Sequence, residues 1–205
     1  MHEPCRWRYR AIMGQILRDI DVRRAAYGRL LSHARRCPDT RVIDELGVGH
    51  GANRIDIAVI NGHFRGMEIK SDADNIKRLP GQISAYGEVV DRASLIVAPR
   101  HLASALEVLP NWWGVVLADR GVTGGVIFKR LRDERANPMV NPMSLARLLW
   151  HDEVAAILRE RGHPERLLRS PRAILYATLV SELQPRAVAT LVRETLKARK
   201  GWRGH

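Results

Sequence analysis

RIDIAVINGHFRGMEIK, from Arg54 to Lys70, is the stretch whose reading decides how this chain folds. Its two halves read as short strands, and Asn61-Gly62 between them reads first as a tight hairpin turn. Asp56 lies in the middle of the first, mostly β-branched strand, where an acid costs desolvation unless something pairs with it. Twelve residues on, Glu68 and Lys70 stand two apart on the second strand. Strand alternation points both to one face, with Met67 and Ile69 on the other. Two carboxylates and an ammonium on one side of a sheet would suit a hard cation with a charge partner beside it.

Whether Asp56 joins that face depends on register. A plain two-residue type I′ turn pairs Ile60 with His63 and therefore Asp56 with Met67, on the wrong side of the sheet. A shared site requires an even register, such as Val59 with His63, closing a three-residue loop with Gly62 left-handed. Asp56 then pairs with Gly66, diagonal to Glu68, and the glycine leaves room for an ion. A bulge at Asp56 would also restore the phase.

Outward from the hairpin, helical spacing covers about Ile16 to Arg36 and ends at Pro38-Asp39. Strands are expected at Arg41–Leu46, Ala93–Ala98 and Gly114–Ala118, with an edge strand at Gly124–Arg130. Helices are expected from about Pro80 to Val90 and over His101–Val108. This order is α/β, a mixed sheet flanked by helices. After Asn137-Pro138 and Asn141-Pro142 the pattern turns helical. Ser144 is a candidate N-cap for a helix running to Arg161 and ended by Gly162; Ser170-Pro171 and Gln184-Pro185 open two more. The division expected is a core over residues 1–140, with a leader over 1–15, and a basic helical extension over 141–205.

The chain carries 34 Lys+Arg against 22 Asp+Glu, a formal charge of +12, and its hydrophobic fraction of 45% is enough for a real core. Such a surplus points to a polyanionic partner, nucleic acid before membrane. No run approaches the roughly 18 apolar residues of a membrane span. The basic N-terminal MHEPCRWRYR has no apolar segment after it, so it reads as a leader and not a signal peptide, with Met13 an alternative start. Cys5 and Cys37 have no metal-ligand spacing and suit a reducing cytosol.

Further residues extend the constellation. Glu45 precedes it in VIDELG, with Asp44 its rival on the opposite strand face, and Gln82 and Tyr86 stand at i and i+4 on one helix face. On Glu45, Asp56, Glu68-Ile69-Lys70 and Gln82…Tyr86 the chain resembles the PD-(D/E)XK nuclease superfamily, in the branch bearing Q-x-x-x-Y. More narrowly it is similar to small bacterial proteins, uncharacterised or associated with DNA repair, that carry R-x-D, E-x-K-S-D and a following Y…D-R. The resemblance covers about Arg41 to Ala118 and departs at Ile55, where the superfamily usually has proline.

The resemblance implies a restriction-endonuclease-like sheet and a metal-dependent nuclease acting on DNA, RNA being the lesser candidate. It fits repair, recombination or defence against mobile elements. Asp56 and Glu68 would hold Mg²⁺ or Mn²⁺, with the carbonyl of Ile69 as a further ligand and Glu45 completing the cluster. Lys70 would steady the attacking water or the transition-state charge. Gln82 and Tyr86 would orient these groups. Arg54, Lys77 and Arg78 are the candidate phosphate contacts, and a homodimer is an allowed assembly. The alternative is a nuclease-fold module that binds DNA or a protein without cutting. A regulator reading DNA through the helical end is disfavoured, because Ala173–Leu183 is too apolar for a recognition helix.

The Gly47–Gly51 run matches no phosphate-binding loop and reads as a mobile hairpin loop over substrate. Trp112-Trp113 reads as core and rim packing.

Overall fold

The structure is a computed structural model that describes residues 16–202. The leader expected over residues 1–15, Cys5 included, lies outside the described residues. Two helices open the fold, α1 (Asp19–Arg29) and α2 (Ser32–Arg36). The single helix expected over 16–36 breaks between them. The amides of Leu30 and Leu31 both donate to the carbonyl of Ala26, which turns the chain and lets Leu31 sink into the core.

Six strands follow: β1 (Arg41–Val48), β2 (Asn53–Ile60), β3 (Phe64–Lys70), β4 (Arg92–Val97), β5 (Gly114–Arg120) and β6 (Val126–Arg132). They form one sheet in the order β1-β2-β3-β4-β5-β6. The pairs β3–β4 and β4–β5 are parallel and the rest antiparallel, so the sheet is mixed as expected. The parallel crossovers run through a 3₁₀ turn (Ile76–Arg78) leading into α3 (Leu79–Gly87), and through α4 (Pro99–Val108).

The chain then continues through α5 (Pro142–Ala146), α6 (His151–Glu160), α7 (Glu165–Leu168), α8 (Arg172–Glu182) and α9 (Pro185–Ala198). Ser144 is not an N-cap. Asn141 caps α5 by accepting from the amides of Met143 and Ser144, while the Ser144 hydroxyl donates to Glu88. The helix that ends at Gly162 (φ 88°) starts only at His151, where Glu153 accepts from the Trp150 amide. No helix among the described residues is long and apolar enough to cross a membrane.

The sheet divides two apolar clusters. On one face Ile57, Val59, Met67, Ile69, Ile96 and Val116 meet Val22 and Ala26 of α1 together with Leu17 before it and Leu31 after it. On the other, Ile43, Ile55, Ala58, Ile60, Phe64 and Leu95 pack with Tyr86, Trp113, Leu149, Leu158, Leu175, Leu179 and Val192. The helices after residue 141 therefore share a core with the sheet. Leu179 is fully buried there, so Leu179→Ala is expected to cost about 2–5 kcal/mol. Thermal unfolding is expected to shift as one cooperative transition. A separate early melt of the C-terminal helices alone would show that they do not share the core.

The hairpin register puts both acids on one face. Ile60 pairs with Phe64, Val59 with Arg65, Ala58 with Gly66 and Ile57 with Met67, closing a three-residue loop. The register is even, as a shared site requires, but lies one step along from the Val59–His63 pairing. Continued by one residue, it sets Asp56 across from Glu68. Gly62 is not left-handed. The Asn61 side chain instead accepts from the His63 amide and closes the loop without it. Nor does Gly66 leave space for an ion: a Cβ there would lie 3.1 Å from both Tyr86 and Val90. That glycine admits Tyr86.

A second irregularity falls at the same place. The β1–β2 ladder pairs Asp44 with Ile57 and resumes at Leu46 with Ile55, leaving Glu45 and Asp56 out of it. Glu45 has φ 52°, uncommon for a residue other than glycine, and alternation slips: Ile55 faces the same cluster as Ala58 and Ile60. Between these strands Gly49, His50 and Gly51 all take positive φ, which accounts for the glycine-rich run.

Candidate active site

At the break in the ladder three elements deliver charged and polar side chains to one place. Glu68 of β3 is fully buried at 0% exposure. Its Oε1 lies 2.5 Å from Lys70 Nζ and its Oε2 accepts from the Tyr86 hydroxyl at 2.5 Å. Lys70 is only 6% exposed, so the pair is sheltered from solvent. Asp56 of β2 turns one carboxylate oxygen onto the backbone amide of Ile69, 2.7 Å away, while its own amide donates to the Tyr86 hydroxyl at 3.2 Å. Tyr86 thereby ties β2 to Glu68 from α3, and it stacks on Trp113 with ring centroids 5.3 Å apart. Gln82, one turn earlier on α3, is 8% exposed and its Oε1 is a buried acceptor with no hydrogen-bond partner among the described residues. Such an orphan costs about 1–3 kcal/mol.

Burial and the negative charge of Glu68 together push the Asp56 carboxyl up to about 7, against the pull of the Ile69 amide, Arg23 and Lys70. Burial, followed by the charges of Glu68 and Asp56, raises the Tyr86 phenol well above its ordinary value. Tyr86 therefore stays a hydrogen-bond donor to Glu68. This clustering of opposed charges in a buried setting is what functional sites commonly show.

Arg23, from α1, is the participant that sequence reasoning missed. Its guanidinium lies 2.9 Å from Glu45, 3.2 Å from Asp44 and 3.7 Å from Asp56, donates to the Asp56 carbonyl at 2.7 Å, and pairs with Asp19 at 3.2 Å. Asp44 and Glu45 were expected to face opposite ways. The left-handed turn at Glu45 instead lets both reach the same arginine, and Asp44 also accepts from Tyr27 at 2.6 Å. Nothing local in the sequence marks Arg23, which lies 33 residues upstream of Asp56.

The donors fit a hard divalent cation in part. Asp56 and Glu68 offer carboxylate oxygens, and the Ile69 carbonyl shares the strand edge of the Ile69 amide that Asp56 already meets. Glu45 does not complete the set: it is held by Arg23, and no group of three or more His, Cys, Asp or Glu side chains able to hold a metal occurs among the described residues. Two carboxylates and a carbonyl, with water in the remaining positions, are what Mg²⁺ ordinarily accepts.

Arg54, Lys77 and Arg78 are exposed, on β2 and in the turn that leads into α3, and none is ion-paired among the described residues. His50 and His63 are exposed in hairpin turns. Asp74 turns the chain after β3, accepting from the amide and hydroxyl of Ser71, and Asp72 accepts from the Leu17 amide. Trp112 and Trp113 are both buried, as expected of packing residues.

The family described as Bacteriophage P4 protein cII matches residues 25–202, which takes in the sheet, the site apart from Arg23, and the C-terminal helices. Protein cII of Enterobacteria phage P4 is 27% identical over 150 residues, 73% of this chain and 56% of that relative. The chain thus spans little more than half the length of the curated relative it matches. No solved structure matches the chain.

Proposed function

We propose that this chain, which belongs to the bacteriophage P4 protein cII family, is a metal-dependent nuclease of the PD-(D/E)XK type that hydrolyses phosphodiester bonds in DNA. The observation that carries the reading is the convergence of Asp56, Glu68 and Lys70 at one break in the sheet. Such a buried group of acids is costly in an apolar fold and is supported by Tyr86, Lys70 and Arg23.

Asp56, Glu68 and the Ile69 carbonyl would hold Mg²⁺ or Mn²⁺, which when bound polarises a phosphoryl oxygen and acidifies a water. The chain's own residues do the rest. Tyr86 fixes the Glu68 carboxylate through its hydroxyl. Lys70 holds the attacking water or the extra charge of the pentavalent phosphate. Gln82 supplies its unpaired oxygen as acceptor for a water proton. Arg54, Lys77 and Arg78 grip flanking phosphates, and Arg23 offsets part of the negative charge of Glu45 and the rim.

The test is incubation of the chain with supercoiled, linear and branched DNA in Mg²⁺, Mn²⁺ or EDTA. Cleavage only with the metals is expected. A second reading has one observation in its favour: both Glu68 oxygens and one Asp56 oxygen are already engaged within the protein, so the acids are partly compensated without a metal. That reading is a module that binds DNA without cutting it, and it is met if DNA is bound but stays intact.

Binding itself is expected to survive in the Asp56→Asn protein and to weaken steeply with salt. A surplus of +12 neutralises several phosphates and releases their counterions. Affinity is expected to drop about a thousandfold between 50 and 200 mM salt if six or so phosphates are contacted. A flat salt response would assign the positive charge to another partner.

A further inference from the structure

The C-terminal helices close a cavity of about 620 Å³ against the outer side of the β1–β2 hairpin. Glu45 lies in its wall, so it adjoins the candidate active site, and Arg147, Trp150, Arg172, Arg199 and Trp202 line the rest. Its centre is a stack of cation and aromatic rings. The Arg199 guanidinium lies 4.2 Å from the Trp150 ring centroid and 4.5 Å from that of Trp202. Glu153 grips Arg199 through two contacts of 2.6 Å, and the Leu148 carbonyl accepts from it at 2.8 Å. The stack is therefore held rigidly and its charge is balanced. Yet Trp150 remains 41% exposed, a large aromatic surface presented beside a polar cavity.

The charges left over in the wall decide what could bind. Arg147 and Arg172 are exposed and unpaired with any carboxylate among the described residues. Asp44 and Glu45 share the one guanidinium of Arg23, and Asp152 is exposed beside His151, so the acids of the wall lie at the hairpin and at the start of α6, away from Arg172 on α8. Arg147 also lines a second, 280 Å³ cavity with Gly49, Asn53, Gly81 and Ser84. The two cavities share Arg147 in their walls, and their linings together reach from α8 past the β1–β2 turn to α3, the helix preceded by Lys77 and Arg78.

We propose that this surface binds an unpaired DNA strand, one base stacking on Trp150 and flanking phosphates resting on Arg147 and Arg172. A cavity of this size takes an unstacked nucleotide or two but not a duplex. Aromatic faces open beside guanidinium groups are what single-strand sites use, because every base has a π-face once it is unstacked. The binding stands on the cavity alone. That the strand is delivered to Asp56, Glu68 and Lys70 rests on the nuclease reading above.

The test measures binding of fluorescent oligothymidylate and of a short hairpin duplex to the full chain in EDTA, where no metal-dependent cleavage intervenes. The strand is expected to bind at least tenfold more tightly than the duplex. Trp150→Ala is expected to lose tenfold or more of strand affinity and Trp150→Phe to keep most of it. Because Trp150 also packs on Arg199, Arg147→Ala and Arg172→Ala serve as variants at exposed positions. Each is expected to weaken strand binding and to lower the salt slope by about 1. Equal affinity of wild type and the folded arginine variants, or preference for the duplex, overturns the proposal. Loss of strand binding in these variants upholds it even if DNA stays intact with Mg²⁺, a result that would sink the nuclease reading alone.

Discussion

Asp56→Asn is expected to reduce Mg²⁺-dependent DNA cleavage about a thousandfold or more while making the metal-free protein more stable above neutral pH. Both effects come from one carboxylate. Its charge is what a divalent cation requires and what the metal-free fold tolerates poorly, since burial and Glu68 raise its pKa to about 7. The sign follows from linkage. Below the unfolded pKa of about 4 the carboxyl is protonated in both states and burial costs nothing. As pH rises from there through 7, the unfolded chain gives up its proton while the folded one must keep it or bear a buried charge. Stability is lost over that window.

Asparagine keeps an oxygen for the Ile69 amide and carries no charge, so the variant escapes the loss. The gain is on the order of 2 kcal/mol. Melting of wild type and variant in EDTA at pH 5 and pH 8 is the check. The variant is expected to gain most at pH 8, and equal destabilisation at both values would contradict this account of the site.

Lys70→Ala is expected to have the largest structural effect of any site substitution. It leaves the fully buried Glu68 with Tyr86 as its remaining hydrogen-bonding side chain, and breaking a buried pair costs about 3–5 kcal/mol. Replacing both partners, in Glu68→Gln with Lys70→Met, is expected to recover much of that loss, because no charge is then stranded. Neither protein is expected to cut DNA. Denaturant midpoints separate the cases: a Lys70→Ala protein as stable as wild type would mean that Glu68 is not held as an ion pair with Lys70.

The strands around the site were legible because their chemistry is local. Apolar runs bounded by Pro, Gly and Asn located β2 through β5 to within a few residues, and the two-residue spacing of Glu68 and Lys70 put them on one face. The even register of the hairpin followed from asking what a shared site demands, but its step along the strand did not. The Asn61 side chain closes the turn where a left-handed glycine had been expected.

What stayed hidden depends on contacts distant in sequence. Arg23 reaches three acids from another layer, and Glu45 takes an uncommon φ that allows two neighbours to meet the same guanidinium. Ser144 looked like a cap because hydroxyls often are, while Asn141, three residues earlier, had the better-placed acceptor. The basic, helical character of residues 141–205 is visible in sequence, whereas which of their side chains are buried against the sheet, Leu175, Leu179 and Val192 among them, is not.

The central claim, that Asp56 and Glu68 together hold a divalent cation beside Lys70, is tested most directly by titrating Mn²⁺ into the metal-free chain at pH 8 by calorimetry. The account predicts one ion per chain for wild type, with affinity reduced at least tenfold in Asp56→Asn and again in Glu68→Gln. Wild-type protein that takes up no Mn²⁺, or variants that bind it as well as wild type, would contradict it.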